Sequence, residues 1–325
     1  MEAKHLISTL FAGRKRISGT NIGLIFAILI LSSFLSLASP YFLKINNFIN
    51  IGNQIAINII IATGMTLVVC SGGIDLSVGS NVALTGVIVA LFFYAVGPGP
   101  FSILLGILVG IGVGVLVGLL NGIFVSILNI PPIITTLGTM GVIRGLALVF
   151  SGGRPLMGMP DGFLALASGF ICGVPKSVIV AVLIAIIGSI ILDRTILGRF
   201  AQALGGNERC VVVSGIDSRK YKIIIYTVGG ALAAISGIAL TSMMATAEPI
   251  AGAWYELDAI AVVVMGGTNL EGGKGSIPGT VLAALLLGIT RNGLIIMGVP
   301  AHYQQLLVGI IILIAVIAGS LRRRS

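Results

Sequence analysis

Stretches of about twenty apolar residues recur along this chain, and no other feature restricts its fold as much. They cover 20–39, 53–70, 101–128, 133–150, 177–192, 221–247, 276–297 and 303–320. A helix needs roughly 20 apolar residues to cross a bilayer, and only 177–192 is slightly short. Strands of a membrane β-barrel would alternate over segments of about 10 residues, and these runs do not alternate. At 57% hydrophobic and 9% charged, the chain is far from the roughly 25% charged residues of a soluble domain. Lipid must cover much of its surface. The sequence reads as all-α, a polytopic helical membrane protein.

The net charge of +9 does not indicate nucleic acid, because the basic residues are bunched. Thirteen of the nineteen form three groups: Lys4, Arg14, Lys15 and Arg16; Arg194, Arg199, Arg209, Arg219, Lys220 and Lys222; and Arg322, Arg323 and Arg324. Lys and Arg collect in cytoplasmic loops, so the N-terminal tail 1–19, the loop 193–220 and the C-terminal tail 321–325 are all placed inside. An even number of crossings must then separate each pair. Counting 78–96 as a third span and a short eighth near 258–266, six spans reach residue 193 and four more reach the tail. About ten helices in one transmembrane domain, 1–325, satisfy the parity. The first run exceeds the roughly 7–15 apolar residues of a signal peptide and reads as an anchored span. Cys70, Cys172 and Cys210 fall in a span, an outer loop and the basic loop, so no disulfide framework is expected.

In the fourth span glycine recurs every fourth residue, at Gly106, Gly110, Gly114, Gly118 and Gly122. That stripe is expected to let a neighbouring helix approach closely, as GxxxG contacts do. Two polar, glycine-rich breaks interrupt apolar segments: "SGGIDLSVGS" (71–80) and "GGTNLEGGKGSIPG" (266–279). Gly266-Gly267-Thr268-Asn269-Leu270 echoes Gly72-Gly73-Ile74-Asp75-Leu76, and paired interrupted segments are a mark of transporters built from repeats. The second break is not a phosphate loop. That motif reads G-x-x-x-x-G-K-[ST], whereas Thr268 and Gly275 occupy its first and last positions around Gly273-Lys274. Asp75 is expected to cap the third span, to face a solute pathway, or to do both. Ser77, Asn81, Glu256, Asp258 and Asn292 are the other pathway candidates. Arg144 and Arg291 are expected to snorkel from the outer ends of their spans. No acid/base pair or His/Cys cluster stands out, so neither enzymatic chemistry nor a metal site is expected.

The segment 195–222 is the longest charged stretch. It reads as a short helix over 196–204, a break at Gly205-Gly206, a second helix capped by Asn207 with Glu208 in its first turn, and a stop at Gly215. Such an elbow suits a cytoplasmic partner better than a plain hairpin loop would.

Five ordered blocks carry a resemblance: "GMTLVVCSGGIDLSVGS" (64–80), "ITTLGTMGVIRGLALV" (134–149), "LGRFAQALGGNERCVVVSGID" (197–217), "AEPIAGAWYELDAIAVVVMGGTNLEGGKGSIPGT" (247–280) and "NGLIIMGVPAHYQQLLVGIIILIAV" (292–316). The chain resembles the permease subunits of ribose-type sugar ABC importers over about residues 40–318. The resemblance implies a second permease copy or a sister permease, an extracytoplasmic sugar-binding protein, and a separate cytoplasmic cassette ATPase that holds the ATP and Mg. The permease itself then carries no cofactor and sits in the bacterial inner membrane. By match, Gly205, Gly206, Asn207, Glu208, Ser214, Gly215, Ile216 and Asp217 belong to the ATPase-coupling loop. Cys210, Val211, Val212 and Val213 depart from the alanines and arginine common there, and Arg291 departs from the amide that often precedes "NGL". An ion- or proton-coupled secondary transporter, with Asp75, Glu256 and Asp258 as coupling acids, is the alternative reading.

Overall fold

The computed structural model of the protein describes residues 19–300 together with 302–304, 306, 307, 309 and 310. Its helices are α1 (Gly19–Ala38), α2 (Ile45–Cys70), α3 (Val78–Val96), α4 (Pro100–Ser126), α5 (Pro132–Ser151), α6 (Asp161–Ala167), α7 (Lys176–Arg194), α8 (Ile196–Val213), α9 (Ser218–Met244), α10 (Tyr255–Met265) and α11 (Ile277–Ile296). Two short antiparallel pairings accompany them: β1 (Leu156–Met157) with the distant β4 (Thr246–Ala247), and the hairpin of β2 (Phe170–Ile171) with β3 (Val174–Pro175); the described residues from 302 onward are helical as well. Eight of these helices are long and apolar enough to cross a membrane: α1 to α5, α7, α9 and α11. The all-α, multi-pass reading therefore holds. The tenth expected span, 303–320, lies largely outside the described residues, as do the basic groups of both tails.

Local chemistry explains most boundaries. Pro100 and Pro132 open α4 and α5, where the missing N–H is no loss and φ is preset for a helix. Asp217 caps α9 by accepting the N–H groups of Arg219 and Lys220. The two breaks begin with the same stop. After α2, Gly72 at φ 80 donates to the Val69 carbonyl and Gly73 to that of Val68; after α10, Gly267 at φ 91 donates to Val264 and Thr268 to Val263. Both are Schellman turns, which need a left-handed residue and so favour glycine. The structural correspondence is therefore Gly72 with Gly267, one residue out of register with the sequence echo.

The centre of the bundle is α9, which packs against α2, α3 and α4. Along α4 the glycine stripe faces it. A Cβ on Gly114 would overlap the Gly230 carbonyl and Ala234, one on Gly118 the Tyr226 carbonyl, and one on Gly122 would lie 2.7 Å from the Ile223 Cα. Nearer the other end of α4, Gly110 meets Val89 and Ile238, and Gly106 meets Phe93 of α3. Wide apolar faces of α1 (Phe26, Leu29, Ile30) and α7 (Leu183, Ile186, Ile190) are left exposed, as lipid contact requires.

Two expected elements differ. The seventh span stops at Met244, where Ala245 turns left-handed at φ 54, and does not run on to 247. The eighth is an 11-residue helix, α10, preceded by a non-helical stretch that turns left-handed again at Gly252 and Trp254. In the elbow, α8 passes straight through Gly205 and Gly206 and bends at Asn207, whose φ of −161 and ψ of 97 leave the helical region. The expected cap is present there, since Asn207 Oδ1 accepts the Cys210 N–H at 3.1 Å. The stop is present too, with Gly215 at φ 78.

Candidate functional site

The two breaks and the elbow, far apart in the chain, meet at one end of the bundle through backbone. The Gly273 N–H donates to the Cys70 carbonyl at 2.9 Å, tying the second break to the last residue of α2. Gly205 of α8 lies against both: a Cβ there would overlap the Cys70 carbonyl and the Gly273 N–H, and would sit 2.7 Å from the Gly272 Cα. A Cβ on Gly272 would in turn lie 2.9 Å from the Gly72 nitrogen, and one on Gly273 would lie 3.1 Å from the Gly206 Cα. Gly205 and Gly206 are thus contact residues inside a continuous helix, which is why they do not break it. Beside the junction opens a cavity of about 600 Å³ whose lining includes Asn269, Glu271 and Lys274. Glu208 pairs with Lys222 across the bend at 2.6 Å, tying the second half of α8 to α9.

From the first break, the chain turns inward at Asp75, which is 1% exposed. Its Oδ1 accepts the Ser77 N–H at 2.9 Å and the Ser77 hydroxyl at 2.6 Å, with Asn121 Nδ2 at 3.4 Å. Asn121 also donates to the Ser77 hydroxyl at 2.8 Å. Ser77 holds the cap position of α3 and no side chain caps the first turn, so Asp75 does not take up the freed N–H groups of the helix; it fixes the turn just ahead of α3 and extends it into a buried polar cluster with α4. One turn on, Asn81 Nδ2 donates to the Gly230 carbonyl at 3.1 Å, bridging α3 to α9.

The remaining candidates lie elsewhere. On α11, Arg291 and Asn292 both turn inward. Arg291 pairs with Asp258 of α10 at 2.7 Å, and Asn292 exchanges two amide hydrogen bonds with Asn47 of α2, at 3.0 and 2.8 Å. Glu256 reaches Gly79 at the start of α3. Arg144 does not snorkel either. Its Nη1 donates to the carbonyls of Pro249, at 3.0 Å, and Ala251, at 2.7 Å, on the unwound stretch before α10. Snorkelling fails for both arginines for one reason: each has a desolvated acceptor within reach, and a charge-assisted hydrogen bond there is stronger than hydration at an interface.

Asn47, the Gly272–Gly273 contact with α8 and the Arg144 clamp join these clusters without being candidates in the sequence. Asn47 precedes the apolar run 53–70, and only a helix drawn back to Ile45 places it opposite Asn292. Among the described residues no group of His, Cys, Asp and Glu is arranged to hold a metal ion. The three cysteines are free, Cys70 buried and the other two exposed.

Comparison with known proteins agrees with this architecture. A family model described as branched-chain amino acid transport system / permease component matches residues 47–316. The ribose import permease protein RbsC of Bacillus subtilis is 44% identical over 91% of this chain and 91% of that protein. RbsC of Haemophilus influenzae is 40% identical over 90% and 91%, and the L-arabinose transport system permease protein AraH of Escherichia coli 34% over 93% and 90%. No solved structure matches the chain.

Proposed function

This chain belongs to that family of transport-system permease components, and we infer that it forms the membrane pathway of an ATP-driven importer for a monosaccharide. The observation that carries the substrate class is the similarity, across about nine-tenths of both chains, to permeases whose names specify ribose and L-arabinose. ATP and Mg are held by a separate cassette ATPase on the cytoplasmic side, and an extracytoplasmic sugar-binding protein delivers the sugar. A second copy or a sister permease completes the path. With the basic elbow inside, the described spans cross the bacterial inner membrane with both termini in the cytoplasm.

The junction supports the mechanical part of this reading. A partner that pulls on α8 pulls at once on the backbone of both breaks, because no flexible side chain lies between them. The two breaks start α3 and α11 and end α2 and α10, so such a pull reaches four helices. Elbow motion is in this way converted into rocking of the pathway walls. A neutral sugar needs hydrogen-bonding groups without a strong fixed charge, and two buried acids are occupied by protein partners: Asp258 pairs with Arg291, and Asp75 accepts hydrogen bonds from Ser77 and Asn121.

The test is reconstitution in proteoliposomes with the cognate ATPase and binding protein. ATP-dependent ribose or arabinose uptake is expected. Uptake driven by a proton or sodium gradient without ATP would favour a secondary transporter instead.

A further inference from the structure

Between α9 and α10 the chain runs as turns and one two-residue strand from Ala245 to Trp254. At Ala247 the chain lies beside Gly86 of α3, whose Cβ would be 3.7 Å from that of Ala247; by Gly252 it is in backbone contact with Gly79, a Gly252 Cβ lying 3.2 Å from the Gly79 Cα. Seven residues of α3 separate these contacts, a drop of about 10 Å along a helix. The irregular backbone therefore runs down the side of a membrane-spanning helix. In hydrocarbon, unwound backbone survives only when buried in protein or facing a water-filled cavity.

On its inner side the stretch is covered. Arg144 stands 12 residues into α5, about 18 Å from its start, and pins the Pro249 and Ala251 carbonyls. On its outer side it is open: Ile250 is 63% exposed and Trp254 58%, and Ala253 is exposed as well. Trp254 is held at φ 72 and ψ −1 as the first residue of the α10 turn, its carbonyl accepting the N–H groups of Leu257 and Asp258 at 3.1 Å each. A bulky residue in the left-handed region is rare, and such strain persists where the surroundings fix it.

We propose that this unwound stretch, 249–254, is a sugar-contacting wall of the water-filled pathway, and that Arg144 is the positioning residue that holds it there. The proposal rests on the importer reading for the identity of its ligand. Arg144 takes the Pro249 and Ala251 carbonyls, and those of Gly252 and Trp254 accept from the start of α10. Among the described residues, the Ile250 and Ala253 carbonyls and the N–H groups of Ile250, Gly252 and Ala253 are left to meet a neutral hydroxylated ring. Both bonds from Arg144 leave Nη1, and its guanidinium carries further donors on two other nitrogens. The exposed side chains here, Ile250, Ala253 and Trp254, are apolar, so it is the peptide groups between them that suit a neutral polyol and suit lipid tails badly.

The chain contains a single tryptophan, and Trp254 is it. Wild-type protein in bilayers is thus a site-specific fluorescent probe. Acrylamide in the aqueous phase should quench it strongly, and phospholipids brominated on their acyl chains should quench it weakly. Strong quenching by the brominated lipid, or shielding from both quenchers, would overturn the proposal, since the face would then be lipid-exposed or a closed subunit contact. This measurement needs no partner protein and is independent of whether the importer reading stands. In the complete transporter, Arg144→Gln should cut uptake roughly tenfold, the loss expected when a charge-assisted bond is removed, and should shift the Trp254 emission while the ATPase still co-purifies. Arg144→Lys, which keeps a charged donor, should recover most of the uptake. Wild-type uptake and an unchanged Trp254 spectrum in Arg144→Gln would refute the positioning role.

Discussion

Two glycines two residues apart on α4 should respond to the same substitution with opposite signs. Gly114 is buried against α9, where an added methyl overlaps the Gly230 carbonyl and Ala234; Gly112 has nothing within 4 Å of the same position. Gly230 reciprocates, since a Cβ there would overlap the Gly114 carbonyl. The two helices thus touch backbone to backbone, and a methyl at residue 114 must push them apart. Overpacking of this kind costs about 1–3 kcal/mol, and a gap opened by 0.5–1 Å also forfeits about a quarter to a half of each neighbouring contact's attraction. Gly112→Ala meets no such obstacle and gains helix propensity of up to about 1 kcal/mol. Gly114→Ala gains the same propensity, which cancels in the comparison, so it should be less stable than Gly112→Ala by the overpacking cost, roughly 1–3 kcal/mol. Thermal denaturation of the detergent-solubilised variants, followed by size-exclusion of the surviving fraction, reads the difference directly. Equal stability of the two variants would refute the close approach of α4 and α9.

Three further outcomes are expected. Cysteines placed at Gly206 and Gly273, in a background lacking Cys172 and Cys210, should cross-link and leave sugar uptake close to that of the reduced variant, because the two backbones move together; uptake stopped by the cross-link and restored by reductant would mean that α8 moves relative to the second break. Asp75→Ala should lower the yield of folded protein by leaving the Ser77 and Asn121 donors unpaired in the interior, a loss of about 1–3 kcal/mol, whereas Asp75→Asn keeps an acceptor at the same place and should assemble; equal thermal stability of the two would contradict the cluster. Removing one partner of the buried Asp258–Arg291 pair, as in Asp258→Ala, should destabilise by about 3–5 kcal/mol, and adding Arg291→Met should recover part of it; a double variant no better than the single one would argue against the pairing.

Most of the bundle was legible because a bilayer imposes length. Runs of twenty apolar residues located α1, α4, α5, α7 and α11 to within a few positions, and the glycine period of α4 pointed to a close neighbour without identifying α9 as that neighbour. The unwound stretch was not legible. "TAEPIAGAW" is apolar enough to pass for the end of one span and the approach to the next, and nothing local announces that it runs down beside α3. Arg144 and Arg291 were misplaced for a related reason: a lone cation near a span end has a default position at the interface, and only the fold supplies Pro249, Ala251 and Asp258 as partners. Gly205-Gly206 looked like a break because glycine weakens a helix by up to about 1 kcal/mol. In the folded chain that weakness is outweighed by the approach of two other backbones to Gly205, which no larger residue there would permit, whereas a Cβ at Gly206 would meet nothing within 4 Å.

In the function proposed above, this chain is a conduit whose driving force comes from a companion bound at the elbow. Ribose accumulation in sealed proteoliposomes, measured with and without the cognate ATPase, tests it most directly. Uphill accumulation should require the ATPase, the binding protein and ATP together, and the permease alone should only equilibrate or do nothing. Concentrative uptake by the permease alone would contradict the account.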